Sequence, residues 1–209
     1  MSTMNTGEVD TLRSKLATRS KSPEERRLAE RQAPLRAAYV DDPEHARTVK
    51  WAATVSSAET DALHSVVHIG KGYGVSLRTG IDRAVGGEHD LPNPGDLLCA
   101  ALAACKDGTI RMIADLLGIP ILDLQVEVTG DVDVRGCLAI DRAVNVGFRS
   151  MTCRVQLRVP ADVDPKRIAM LRKQAEQSCV NLDSLRSGVP VDLVFNIEAT
   201  AEGKATASR

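Results

Sequence analysis

With 27 basic residues against 28 acidic ones, the 209-residue chain has a net charge of −1 and no global electrostatic pull toward nucleic acid or an anionic membrane. Aromatic residues make up only 2% of it, which excludes the stacking platforms that grip single strands and leaves Leu, Val, Ile and Ala to build the core. The hydrophobic 43% suffices for one good core or two small ones, and 5 cysteines without a C-x-x-C pair fit neither a secreted disulfide scaffold nor a structural zinc site. No apolar h-region opens the chain, so the expected setting is the reducing cytoplasm.

Residues 1–45 are polar and helix-prone and form an expected N-terminal helical extension, packed on the body or on a partner subunit. Ser22-Pro23-Glu24-Glu25 is a capping box with proline at the first helical position. The helix it opens is expected to run to about Gln32, interrupted at Ala33-Pro34, with Asp41-Asp42-Pro43 marking another turn. From Ala46 the texture changes to strands, at 48–57, 63–70 and 73–77, with Lys71-Gly72 as a tight hairpin turn. Residues 78–90, containing Gly86-Gly87, read as a loop. The Gly-x-Gly of Gly72-Tyr73-Gly74 has no helix after it and is no nucleotide site.

A helix over 93–118 is the centre of the pattern. Asn93 caps it, Pro94 suits its first position and Asp96 places a carboxylate in the first turn. Residues 97–105 are almost wholly apolar, which predicts a helix buried nearly all round, and Gly118 with Pro120 ends it. It is too short and too soon charged to span a membrane. Beyond it, residues 122–134 alternate as a strand buried on one face, 135–145 make a bend, and 147–159 form a second long strand. Asp164-Pro165 opens a helix carrying Ile168, Leu171, Ala175 and Cys179 on one face. A last strand is expected over 189–200, and 201–209 is a flexible tail. The order β-β-β-α-β-β-α-β, with hairpin connections and no phosphate loops, is that of an α+β protein with antiparallel sheets and two largely buried helices.

Each cysteine, taken by pattern alone, is a small buried hydrophobe. Cys105 stands out because the helix turns from apolar to polar there, at Lys106-Asp107-Gly108, and a nearby cation such as Lys106 favours the thiolate. Adjacent helical residues diverge by 100°, however, and a solvated lysine is the plainer reading of Lys106. Cys99 lies on another helical face, Cys137 falls in the bend, and Cys153 sits on a strand whose neighbours Thr152 and Arg154 face the other way.

The run Asn93-Pro94-x-x-Leu97-Leu98-x-Ala100-Ala101-Leu102-Ala103-Ala104-Cys105, with Ala175-Glu176-x-x-Cys179 and Ser184-Leu185 later, resembles the OsmC-like family, which includes the organic hydroperoxide resistance proteins. The resemblance spans an expected domain at 46–200. It implies an intertwined homodimer with sites at the subunit interface. It also implies a thiol-dependent peroxidase, with Cys105 peroxidatic and Cys179 resolving, an organic hydroperoxide as substrate, a thiol reductant, and no metal or other cofactor. An apolar wall near Leu98, Leu102 and Met112 suits such a substrate. Hydroperoxide resistance proteins activate their thiolate with an arginine in the first hairpin and a glutamate after the Asn-Pro pair. Here Ser57-Ala58-Glu59-Thr60-Asp61 has no arginine, and Gly95-Asp96 follows Pro94. The alternative expectation is a non-catalytic dimer of the same fold that binds an apolar small molecule in the interface cleft.

Overall fold

Helix α1, Leu28–Asp41, is the first element of the computed structural model, which describes residues 28–57 and 60–199. The capping box at Ser22 and the tail 201–209 lie outside those residues. The helix continues through Pro34, where a break was expected. Proline removes one backbone donor and crowds the preceding turn. No residue of α1 is buried, so the turn around Pro34 is not packed against the core. The Leu28 N–H donates to Asp115 Oδ2 at 3.0 Å, tying α1 to the far end of the central helix.

Strands β1 (Ala52–Thr54), β2 (Ser65–Ile69) and β3 (Val75–Thr79) form an antiparallel sheet in chain order, with Ala53 opposite His68 and Val67 opposite Leu77. The β2–β3 turn is wider than the expected Lys71-Gly72 pair: it occupies 70–74, with Gly70, Gly72 and Gly74 at φ of 67°, 85° and 64°. The loop that follows is drawn in by Gly80 N–H to Pro92 O at 3.1 Å and by Asp82, which accepts from Ala84 N–H at 2.7 Å and Asn93 Nδ2 at 3.2 Å.

Helix α2, Pro94–Leu116, begins and ends as its sequence dictates. Asn93 Oδ1 accepts from the N–H groups of Gly95 (2.8 Å) and Asp96 (3.1 Å), and Asp96 Oδ2 accepts from Asn93 N–H at 3.0 Å. At the other end Gly118 takes φ 59° and donates to Asp115 O at 3.0 Å, while Ile119 N–H reaches Ala114 O at 2.8 Å. One face of α2 is buried, through Leu102, Lys106, Thr109, Ile110, Ile113 and Ala114. The opposite face, at Ala100, Ala101 and Ala104, is exposed, so α2 is not buried all round within one chain. The apolar run is longer than the surface this chain can set against it.

Strands β4 (Asp123–Val132) and β5 (Phe148–Arg158) pair antiparallel, with Val128 opposite Cys153 and a register shift between Asp131 and Val132. Helix α3, Pro165–Gln177, is capped by Asp164 Oδ1 on Lys166 N–H at 2.8 Å. Its Arg167 guanidinium donates to Leu117 O, and to Gly118 O at 2.9 Å, so the start of α3 caps the end of α2. Ile113, Ala114, Ile119 and Leu171 form the core, flanked by Met112, Leu116, Ile121, Leu157 and Val163.

Two expectations fail near the C-terminus. The second helix does not carry Cys179 on its face. It stops at Gln177, and a short helix α4, Val180–Ser187, restarts after an extended Cys179 at φ −86°, ψ 102°. The strand expected over 189–200 is not formed at 189–199, where Val191, Phe195 and Ile197 are 84%, 74% and 86% exposed; residue 200 lies outside the described residues. A strand exists only against a partner edge, and no strand described in this chain takes it. The architecture is α+β, with helices set beside antiparallel sheets.

Candidate active site

The break between α3 and α4 brings Cys179 to Cys105. Ser178 N–H closes α3 on Gln174 O at 2.9 Å, and Asp183 N–H opens α4 on Cys179 O at 3.0 Å. The chain between them is held extended, which turns the Cys179 side chain toward α2. Its Sγ lies 3.5 Å from Cys105 Sγ. Asn181 completes the clamp: its Nδ2 donates to Ala101 O at 2.8 Å, one turn before Cys105, and its backbone N–H points at Cys105 Sγ at 3.5 Å.

The two sulfurs are not equivalent. Cys179 is 1% exposed, and burial pushes its thiol pKa up, opposed by the Leu182 N–H and reinforced by Cys105. Cys105 is half-buried and faces the amide at the start of α4, a donor for a sulfur-centred anion. Burial thus favours the neutral thiol at Cys179, which donates toward Cys105.

Lys106, beside Cys105, is 8% exposed, and its Nζ donates to Ala175 O at 3.0 Å. The solvated reading of this lysine is corrected. The signal was its place in the stripe Leu102, Lys106, Ile110, Ile113, which keeps helical spacing along the buried face. The polar neighbours Asp107 and Gly108 masked it.

A cavity of about 1050 Å³ opens against this side of α2. Its wall is apolar at Leu98, Leu102, Val155, Leu171 and Leu182, and polar at Lys106, Arg172 and Glu176. Met112, expected in this wall, instead packs against the core. Arg186 donates to Glu176 at 2.9 Å and is the main cause of that carboxyl's lowered pKa.

Among the described residues, neither activator absent from the sequence is replaced at its own position in the fold. A Cβ on Gly95 would lie 3.3 Å from Cζ of Phe148, so an aromatic ring holds the space beside the expected glutamate position. Asp96 is committed to the helix cap. Arg78 and Arg83 are exposed and lie outside the cavity wall, whose cations are Lys106, Arg149, Arg172 and Arg186. Of the other cysteines, Cys153 faces the cavity, Cys99 is half-buried with its thiol pushed up chiefly by burial, and exposed Cys137 donates to Val134 O at 3.2 Å. Among the described residues, His64, Glu88 and Asp90 have ligand atoms within 4.8 Å of one another. The His64 ring already faces Asp61 at 2.9 Å and Asp90 at 3.4 Å, as an ion-pair clamp between hairpin and loop.

The model of the family described as OsmC-like protein matches residues 87–194, from the loop before α2 through both cysteines. The chain belongs to the OsmC-like family. Solved OsmC-like structures share its fold. One from Mycoplasma pneumoniae is 15% identical, covers 68% of this chain and 89% of its own, and aligns with a TM-score of 0.53. An OsmC-like protein of unknown function from Vibrio cholerae O1 is 12% identical, with coverages of 66% and 94% and a TM-score of 0.54. No curated protein matches the chain. Among the described residues no helix is long and apolar enough to cross a membrane.

Proposed function

We propose that this OsmC-like protein is a thiol-dependent peroxidase that reduces organic hydroperoxides. The observation that carries the reading is the 3.5 Å approach of Cys105 and Cys179, with the buried member holding the proton. Cys105 is the peroxidatic residue. Its thiolate attacks the outer peroxide oxygen; the S–O bond forms, the O–O bond breaks, and the departing alkoxide takes a proton to become the alcohol. Asn181 N–H faces the attacking sulfur. Cys179 is the resolving residue. Its sulfur displaces hydroxide from the Cys105 sulfenic acid, and the thiol proton leaves in the water formed. The sulfurs close from 3.5 Å to a bond of about 2.05 Å. A thiol reductant then reopens the disulfide by exchange.

The cavity lies beside the pair without either sulfur in its lining; its apolar wall at Leu98 and Leu102, on the helix that carries Cys105, supports an organic peroxide over hydrogen peroxide. The same reading takes the protein as a cytoplasmic homodimer. The exposed Ala100, Ala101, Ala104 face of α2 and the unpaired 189–199 segment are the apolar surfaces a second copy would cover.

Stopped-flow reduction of an alkyl hydroperoxide tests the mechanism. Cys105→Ser is expected to abolish the reaction, and Cys179→Ser to permit one turnover that ends in sulfenic acid. Equal rates in wild type and both variants would sink it. The size of the cavity favours a second reading, in which a non-catalytic protein holds an apolar small molecule there. Under that reading an apolar fluorophore binds with equal affinity to wild type and Cys105→Ser, and neither consumes peroxide.

A further inference from the structure

We propose that Lys106 is a positioning residue for the resolving half-reaction, its buried ammonium favouring the Cys179 thiolate once Cys105 has been oxidised. The inference rests on the peroxidase reading for its physiological setting and deepens it by dividing the charge requirements of the two steps. A lysine residue that is 8% exposed, in a wall shared with Leu102 and Leu171, is costly unless an anion answers its charge. The hydrogen bond described for it goes to a backbone carbonyl, Ala175 O, near the end of α3 and ahead of the extended Cys179. The nearby carboxylate, Glu176, is engaged chiefly by Arg186 at 2.9 Å, with Lys106 a smaller cause of its lowered pKa. The charged and titratable groups lining the cavity beside the pair are Lys106 from α2, Arg149 and Cys153 from β5, Arg172 and Glu176 from α3, and Arg186 from α4. Of these, Lys106 is the cation that acts on Cys179, lowering the pKa that burial raises.

The sequence of events explains why this charge is needed late. While Cys105 is a thiolate, a second negative sulfur 3.5 Å away is disfavoured, and Cys179 stays protonated. Oxidation makes the Cys105 sulfur neutral and electrophilic. Cys179 must then ionise at a position 1% exposed, where little water can solvate the charge. The ammonium clamped at Ala175 O supplies the compensation. The thiolate of Cys179 attacks Cys105 sulfur, the S–S bond forms, and the group on Cys105 leaves with the electron pair of the broken bond. From a sulfenic acid that group is hydroxide, which leaves as water with the proton Cys179 released.

A chromogenic aromatic disulfide, dithiobis(nitrobenzoate), tests this without peroxide. In reduced full-length protein carrying Cys99→Ser, Cys137→Ser and Cys153→Ser, which removes the thiols outside the pair, Cys105 expels one coloured thiolate and forms a mixed disulfide. Cys179 then expels the second and closes the Cys105–Cys179 bridge. Cys179→Ser is expected to show only the first phase. Lys106→Met is expected to leave the first phase within about twofold, slow the second about tenfold at neutral pH, and raise its pH midpoint by about one unit. Lys106→Gln retains a donor for Ala175 O without the charge and is expected to follow Lys106→Met, whereas Lys106→Arg keeps the wild-type midpoint. A second phase unchanged in Lys106→Gln, or lost equally in Lys106→Gln and Lys106→Arg, overturns the proposal. If the protein with only this cysteine pair shows both phases with the disulfide but consumes no hydroperoxide, the peroxidase reading fails while the role of Lys106 stands.

Discussion

Cys179 is 1% exposed and Cys105 half-buried, a difference that divides their labour before any chemistry begins. Sequence pattern left both as small buried hydrophobes; the polar turn after Cys105 raised that one, and only the family motif singled out Cys179. Their approach was not legible, because Cys179 reaches Cys105 through a helix break that no proline or glycine marks. Lys106 was legible and overlooked: it keeps the spacing of the apolar stripe, but its neighbours are polar. At the same scale His64 makes a pH dependence predictable. Its pKa is raised, first by the hydrogen bond to Asp61 and with help from Asp90, against the opposing effect of burial. Its stabilisation is therefore fully present below the ordinary histidine value of 6.5 and is lost as pH rises through the higher folded value. Asp61 is lowered from 3.8, so its share is lost only in acid. His64→Gln is expected to lower the melting temperature more at about pH 5 than at about pH 8.5. Equal losses at the two pH values would show that the clamp does not titrate as described.

Elements with chemically explicit ends were readable from sequence. Asn93, Pro94 and Asp96 announce the start of α2, and Gly118 announces its end, because each supplies a partner or a conformation that other residues do not. Gly118 sits at φ 59°, so Gly118→Ala is expected to destabilise the fold by roughly 1 kcal/mol in urea unfolding. A cost near zero would mean that the chain relaxes out of the left-handed turn. The elements misread are those fixed by tertiary context. Pro34 does not stop α1, because an exposed helix tolerates the distortion. Ile168, read as part of the buried face of α3, is 37% exposed. Residues 189–199 have strand composition, but no described strand pairs with them.

For the molecule as a whole, the unanswered surfaces point outward. The alanine face of α2 and the extended apolar segment at 189–199 are exposed in one chain, although their composition is that of a core. A strand-like segment without a partner and a helix covered on one side are what an intertwined dimer would complete. On that reading, sedimentation finds the full chain dimeric, and truncation after Gly188 shifts it to monomer; a monomeric full chain would contradict it. The central claim is more local. One equivalent of an alkyl hydroperoxide is added to the reduced protein, and the cysteine pairs are mapped by mass spectrometry of proteolytic fragments. The account predicts loss of the peroxide with an intramolecular bridge between Cys105 and Cys179. Two free thiols at those positions after the peroxide is offered, or a bridge formed elsewhere, would contradict it.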